Sequence, residues 1–178
     1  YNNGAPVGAP VPGTGSAFNF GPQKVAGTYT VQPINATTSC VRNMSGSATI
    51  NVNSWPGLHT VTGGGNYCSG AAGSVVGLGS STPGVNYQLY NGTTAVGSVV
   101  IGTGGPLTFG VYTATGTYTA MGINATTGCS RTMTGTATIG INNLPATYTL
   151  SGGGNYCAGG AGVSMALSGS KTGLAYQL

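Results

Sequence analysis

Thiols are the first groups in this chain that could do chemistry. There are four: Cys40, Cys68, Cys129 and Cys157. Thiolate sulfur serves disulfide bonding, metal ligation or nucleophilic catalysis. No C-x-x-C pair and no second histidine stands beside them to build a zinc site. The chain also has no aspartate and no glutamate. It therefore has no carboxylate general acid or base, no acidic member for a Ser-His-Asp triad, and no acidic calcium cage. The one histidine, His59, has neither an orienting carboxylate nor a nucleophile and reads as a surface strand residue. These features predict a protein that is not an enzyme and needs no cofactor or metal.

The other polar groups point the same way. Lys24, Arg42, Arg131 and Lys171 give a net charge of +4 but stand one by one. Nucleic-acid binders cluster such cations to neutralise several phosphates, so no nucleic-acid partner is expected. No apolar run approaches the roughly 20 residues of a membrane span. The triplet Gly63–Gly65 is followed by neither a helix signal nor a lysine, so it is no phosphate loop. It reads as a bulge or strand switch. Asn35, Asn43, Asn91 and Asn124 each open an Asn-x-Ser/Thr triplet and are candidate glycosylation sites. With so little charge, solubility rests on hydroxyls, amides or attached glycans.

The elements that must position these groups are set by a repeat. Asn35-Ala36-Thr37-Thr38 recurs as Asn124-Ala125-Thr126-Thr127, 89 residues on. Gly63-Gly64-Gly65-Asn66-Tyr67-Cys68 recurs as Gly152-Gly153-Gly154-Asn155-Tyr156-Cys157 at the same offset. Residues 1–89 align with 90–178 without a gap, and about half the positions are identical. Joining Leu178 to Tyr1 recreates the internal run Tyr87-Gln88-Leu89-Tyr90-Asn91. The expectation is a window on a longer tandem array. The alternative is a set of separate subunits whose ends complete one another.

Pro ends strands because it cannot donate to the ladder. Asn53-Ser54-Trp55-Pro56, matched by Asn142-Asn143-Leu144-Pro145, therefore marks the joints. Residues 57–145 form one complete unit, 1–56 the rear part of another, and 146–178 the front part of a third. Thirty-five glycines and nine prolines would usually suggest low complexity. Here the glycines punctuate short alternating runs rich in Val, Ile, Thr and Tyr. Within the complete unit the expected strands cover 58–62, 74–78, 85–90, 94–101, 107–109, 117–123 and 136–142. The fold class is all-β, a sandwich of short strands joined by glycine turns.

Within that unit Cys68 and Cys129 lie 61 residues apart, and Cys40 and Cys157 find the same spacing in neighbouring copies. Both Cys68 and Cys129 are expected toward one pole, so a Cys68–Cys129 disulfide is favoured. The rival pairs, Cys40–Cys68 and Cys129–Cys157, are each 28 apart and would cross a joint. Disulfides imply an oxidising compartment, hence export. Tyr118 and its repeat mate Tyr29 sit at the start of the penultimate long strand. Immunoglobulin-like sandwiches often carry a tyrosine there, its hydroxyl bonded back to upstream backbone as a tyrosine corner.

The runs Gly63–Cys68, Val85–Gly92, Gly116–Thr119 and Asn124–Cys129 resemble the tandem Ig-like repeats of very large secreted and surface proteins of Bacteroidota. The resemblance covers both repeats. It implies tandem Ig-like β-sandwich domains of 89 residues, an extracellular or cell-surface location, and a role in an adhesin, stalk or filament. The expected function is a structural component of an extracellular fibre, its partners being neighbouring identical repeats and attached glycans. The alternatives are a glycan-binding adhesin module and a fibre of separate subunits joined by strand complementation.

Overall fold

The computed structural model describes residues 1–178. It is all-β, with thirteen strands and no helix. In chain order these are β1 (Gly27–Tyr29), β2 (Ala48–Ile50), β3 (Val61–Gly63), β4 (Gly65–Cys68), β5 (Ser74–Leu78), β6 (Val85–Asn91) and β7 (Thr94–Ile101), then β8 (Leu107–Tyr112), β9 (Gly116–Asn124), β10 (Ser130–Thr132), β11 (Ala137–Asn142), β12 (Leu150–Gly152) and β13 (Met165–Leu167). Two pairs, β1 with β2 and β12 with β13, stand as isolated ribbons. The nine strands between them make two sheets. One has the order β3-β5-β8, the other β4-β11-β9-β6-β7 with β10 also on β9.

Alternation of apolar and polar residues builds the core between these sheets. On β6 the buried positions are Val85, Tyr87 and Leu89. On β9 they are Tyr118, Ala120 and Gly122, and on β11 Ala137 and Ile139. Val61, Val76 and Leu78 face them from the smaller sheet. Residues of both sheets thus share one apolar cluster, as in a β-sandwich. Gly122 is small for a reason: a Cβ there would come within 3.0 Å of the Tyr87 ring. The Tyr87 hydroxyl is not wasted, because it accepts the Thr82 N–H at 2.9 Å.

The glycine triplet switches the chain between sheets. Val61–Gly63 pairs antiparallel with β5, and Gly65–Cys68 pairs parallel with Ile139–Asn142 of β11. Gly63, Gly64 and Gly65 have φ of 90°, 81° and 112°, a region that side chains disfavour. A Cβ on Gly64 would also meet the Thr138 carbonyl at 2.7 Å. The expected strand over 58–62 therefore starts later, at Val61, and continues after the switch as a second short strand. The strand expected over 107–109 runs on to Tyr112.

Every buried residue lies between Pro56 and Ile139. Apart from Pro56, the flanking segments bury nothing, although they repeat the same apolar positions. Leu78 is 1% exposed and its mate Leu167 is 42%; Leu89 is fully buried and Leu178 is 84% exposed. Local geometry nonetheless recurs. The Tyr118 hydroxyl donates to Ala114 O at 2.7 Å, and the Tyr29 hydroxyl to Val25 O at 2.9 Å.

Candidate functional site

The two ends of the complete unit are where the expected functional residues collect. β11 runs antiparallel to β9 and parallel to β4, so β4 and β9 run in opposite directions. Cys68 ends β4 and lies level with Asn142, beyond the Gly116 end of β9. Cys129 lies beside Asn124 at the other end of β9, its carbonyl accepting the Asn124 N–H at 2.9 Å. We call the pole with Cys129 upper and the pole with Cys68 lower.

This geometry corrects the expected disulfide. The nine residues of β9 and the overhang of β11 separate Cys68 from Cys129, roughly 35 Å at about 3.3 Å per residue. A disulfide needs Cα atoms within about 7 Å. All four thiols, of Cys40, Cys68, Cys129 and Cys157, are unpaired. The expectation of a shared pole failed because Cys68 is the last residue of β4, Cys129 lies past the last residue of β9, and the two strands point opposite ways.

The upper pole is where the joint from residues 1–56 arrives. Cys129 Sγ lies 4.0 Å from the Asn53 carbonyl oxygen. The Arg131 guanidinium sits 5.9 Å from the centre of the Trp55 ring, which is 68% exposed. Ser54, Trp55 and Arg131 line a shallow open cleft. A cation over an indole face contributes about 0.5–1 kcal/mol at an exposed site, so Arg131 steadies the joint. At the lower pole the chain leaves through Asn142, whose carbonyl accepts the Ser69 N–H at 2.9 Å.

The loop that carries Cys129 is an asparagine-built turn. Asn124 Oδ1 accepts the N–H groups of Thr126 and Thr127, each at 3.0 Å. Asn35 does the same for Thr37 and Thr38, at 2.9 and 3.0 Å. The candidate glycosylation sites differ in which side-chain atom is engaged. At Asn35 and Asn124 the carbonyl oxygen is used, and Asn43 Oδ1 accepts from Gln32 Nε2 at 3.0 Å. At Asn91 it is the amide nitrogen that a glycan would need, donating to Thr115 O at 3.2 Å.

His59 is not a plain surface residue. It is half-buried, bonds Thr82 Oγ1 through Nε2 at 2.9 Å, and packs edge-on to Tyr87 with ring centres 6.1 Å apart. Sequence reasoning missed β4 and β10, the short strands that end at Cys68 and begin after Cys129. No group of three or more His, Cys, Asp or Glu stands together to hold a metal ion, and no helix is long and apolar enough to cross a membrane. No family model, no curated protein and no solved structure matches the chain.

Proposed function

We propose that the chain is a structural part of an extracellular fibre made of Ig-like units in tandem, without catalysis. The observation that carries this reading is the placement of the joints. The chain meets the complete unit at the upper pole, beside Cys129, and leaves it at the lower pole, beside Cys68. Units linked in this way follow one another end to end and lengthen the particle instead of thickening it. The strand order, the sheet switch after β3 and the Tyr118–Ala114 bond at the start of β9 support an Ig-like reading of the unit. The near-absence of charge allows close contact between units without self-repulsion.

The exposed apolar residues of the flanks support the tandem arrangement. Leu150, Met165, Leu167 and Tyr176 in residues 146–178 and Val31 and Met44 in residues 1–56 are all more than 35% exposed. Their repeat mates Val61, Val76, Leu78, Tyr87, Ala120 and Met133 are all core. A further stretch of repeat would bury them, whether it belongs to the same chain or to another copy. Denaturing gels under reducing conditions separate these two fibres: a covalent array keeps very high mass, and strand-complemented subunits fall apart. Electron microscopy of the secreted product tests the function itself. Thin filaments with an axial repeat near the length of one unit, on the order of 35–40 Å, are expected. Isolated globules without an axial repeat would overturn the reading.

A further inference from the structure

We propose that Cys68 forms a disulfide with the cysteine that corresponds to Cys129 in the following repeat, so that each joint between units is closed by one inter-unit bond. The proposal rests on the tandem reading above. Its geometry comes from one carbonyl seen twice. Asn142 lies in register with Cys68, and its carbonyl accepts the N–H of the next residue, Ser69, at 2.9 Å. The residue 89 positions before Asn142 is Asn53, and its carbonyl lies 4.0 Å from Cys129 Sγ. The same carbonyl of the repeat therefore touches the Cys68 segment of its own unit and the Cys129 sulfur of the next. Superposing the two views brings those cysteines to a single backbone carbonyl, and a disulfide forms once their Cα atoms close to about 4.4–6.8 Å.

The pairing also accounts for the thiols as they stand. At the 53–56 joint Cys129 is present, and its counterpart would lie 89 residues before Cys68. At the 142–145 joint Cys68 is present, and its counterpart would lie 89 residues after Cys129. Neither joint holds both cysteines within residues 1–178, and all four are unpaired. Cys68 is exposed and Cys129 half-exposed, so both are open to an oxidant. The reaction is ordinary thiol–disulfide exchange. One cysteine thiolate attacks a disulfide oxidant and displaces one of its sulfurs. The second thiolate then attacks the mixed disulfide. The new S–S bond forms, and the two protons and two electrons leave on the oxidant, whose two sulfurs depart as thiols.

Two copies of the chain joined Leu178 to Tyr1 restore the run Tyr87–Asn91 at the seam and make a new whole unit from residues 146–178 and 1–56. After oxidation with oxidised glutathione, peptide mapping should find Cys68 of the first copy bonded to Cys40 of the second, and Cys157 of the first bonded to Cys129 of the second. Four of the eight thiols should stay titratable. Cys40→Ser in the second copy alone should abolish the first bond and spare the second. Proteolysis of the same material reports separately on whether the seam unit folds. If it does not fold, the tandem reading and this proposal both fail. If it folds and the thiols stay free, or pair within one unit as Cys68 with Cys129, the disulfide proposal alone is overturned.

Discussion

At the residue scale the complete unit depends on a few tyrosines that bring a polar tip into an apolar core. Tyr118 is fully buried and satisfies its hydroxyl on Ala114 O. Burial pushes its phenol above the ordinary value of 10.0. The nearby Tyr112 phenol adds to the rise, and the Asn91 side chain works against it. Burial also raises Tyr112. Tyr118→Phe keeps the ring and removes the hydrogen bond, which should cost about 1 kcal/mol. In a unit of this size that lowers Tm by about 4–8 °C. The same change at the half-exposed Tyr29 should lower it less. The titration has a fixed sign. With the folded phenol raised, the unfolded chain ionises first, so stability holds up to about pH 10 and falls as pH climbs further. Urea midpoints across that range should show the fall, and Tyr118→Phe should reduce it.

At the element scale the same sequence is folded in one place and exposed in another. Leu78 on β5 is packed between the sheets, while its mate Leu167 on β13 is 42% exposed. Leu78→Ala should cost about 2–5 kcal/mol. Leu167→Ala should stay within about 0.5 kcal/mol, as read by chemical denaturation of the 178-residue chain. Much of this architecture is legible in the residues. The alternation of Val85, Tyr87 and Leu89 marks β6, Asn91-Gly92 marks the hairpin to β7, and the glycine triplet marks a strand switch. The hidden features are short strands that exist only through the edge they pair with. β4 exists because Ile139–Asn142 offers it a parallel edge, and β10 because Met121–Ile123 does, so neither shows in its own three or four residues. The opposite placement of Cys68 and Cys129 follows from that parallel pairing and could not be read from their 61-residue spacing.

At the scale of the whole molecule the proposed tandem arrangement requires that successive units add length. The two joints sit at opposite poles, and each is short and contains a proline, which has a fixed φ. Arg131 against Trp55 and, once formed, the inter-unit disulfide would limit bending at the joint. Small-angle X-ray scattering of one, two and three copies of the chain joined end to end tests this most directly. Each copy contributes two repeats, so the maximum dimension should grow in equal steps of roughly 70–80 Å at about 3.3 Å per residue of strand. A radius of gyration that instead rises only about 1.3-fold on doubling, as a compact particle's does, would contradict it.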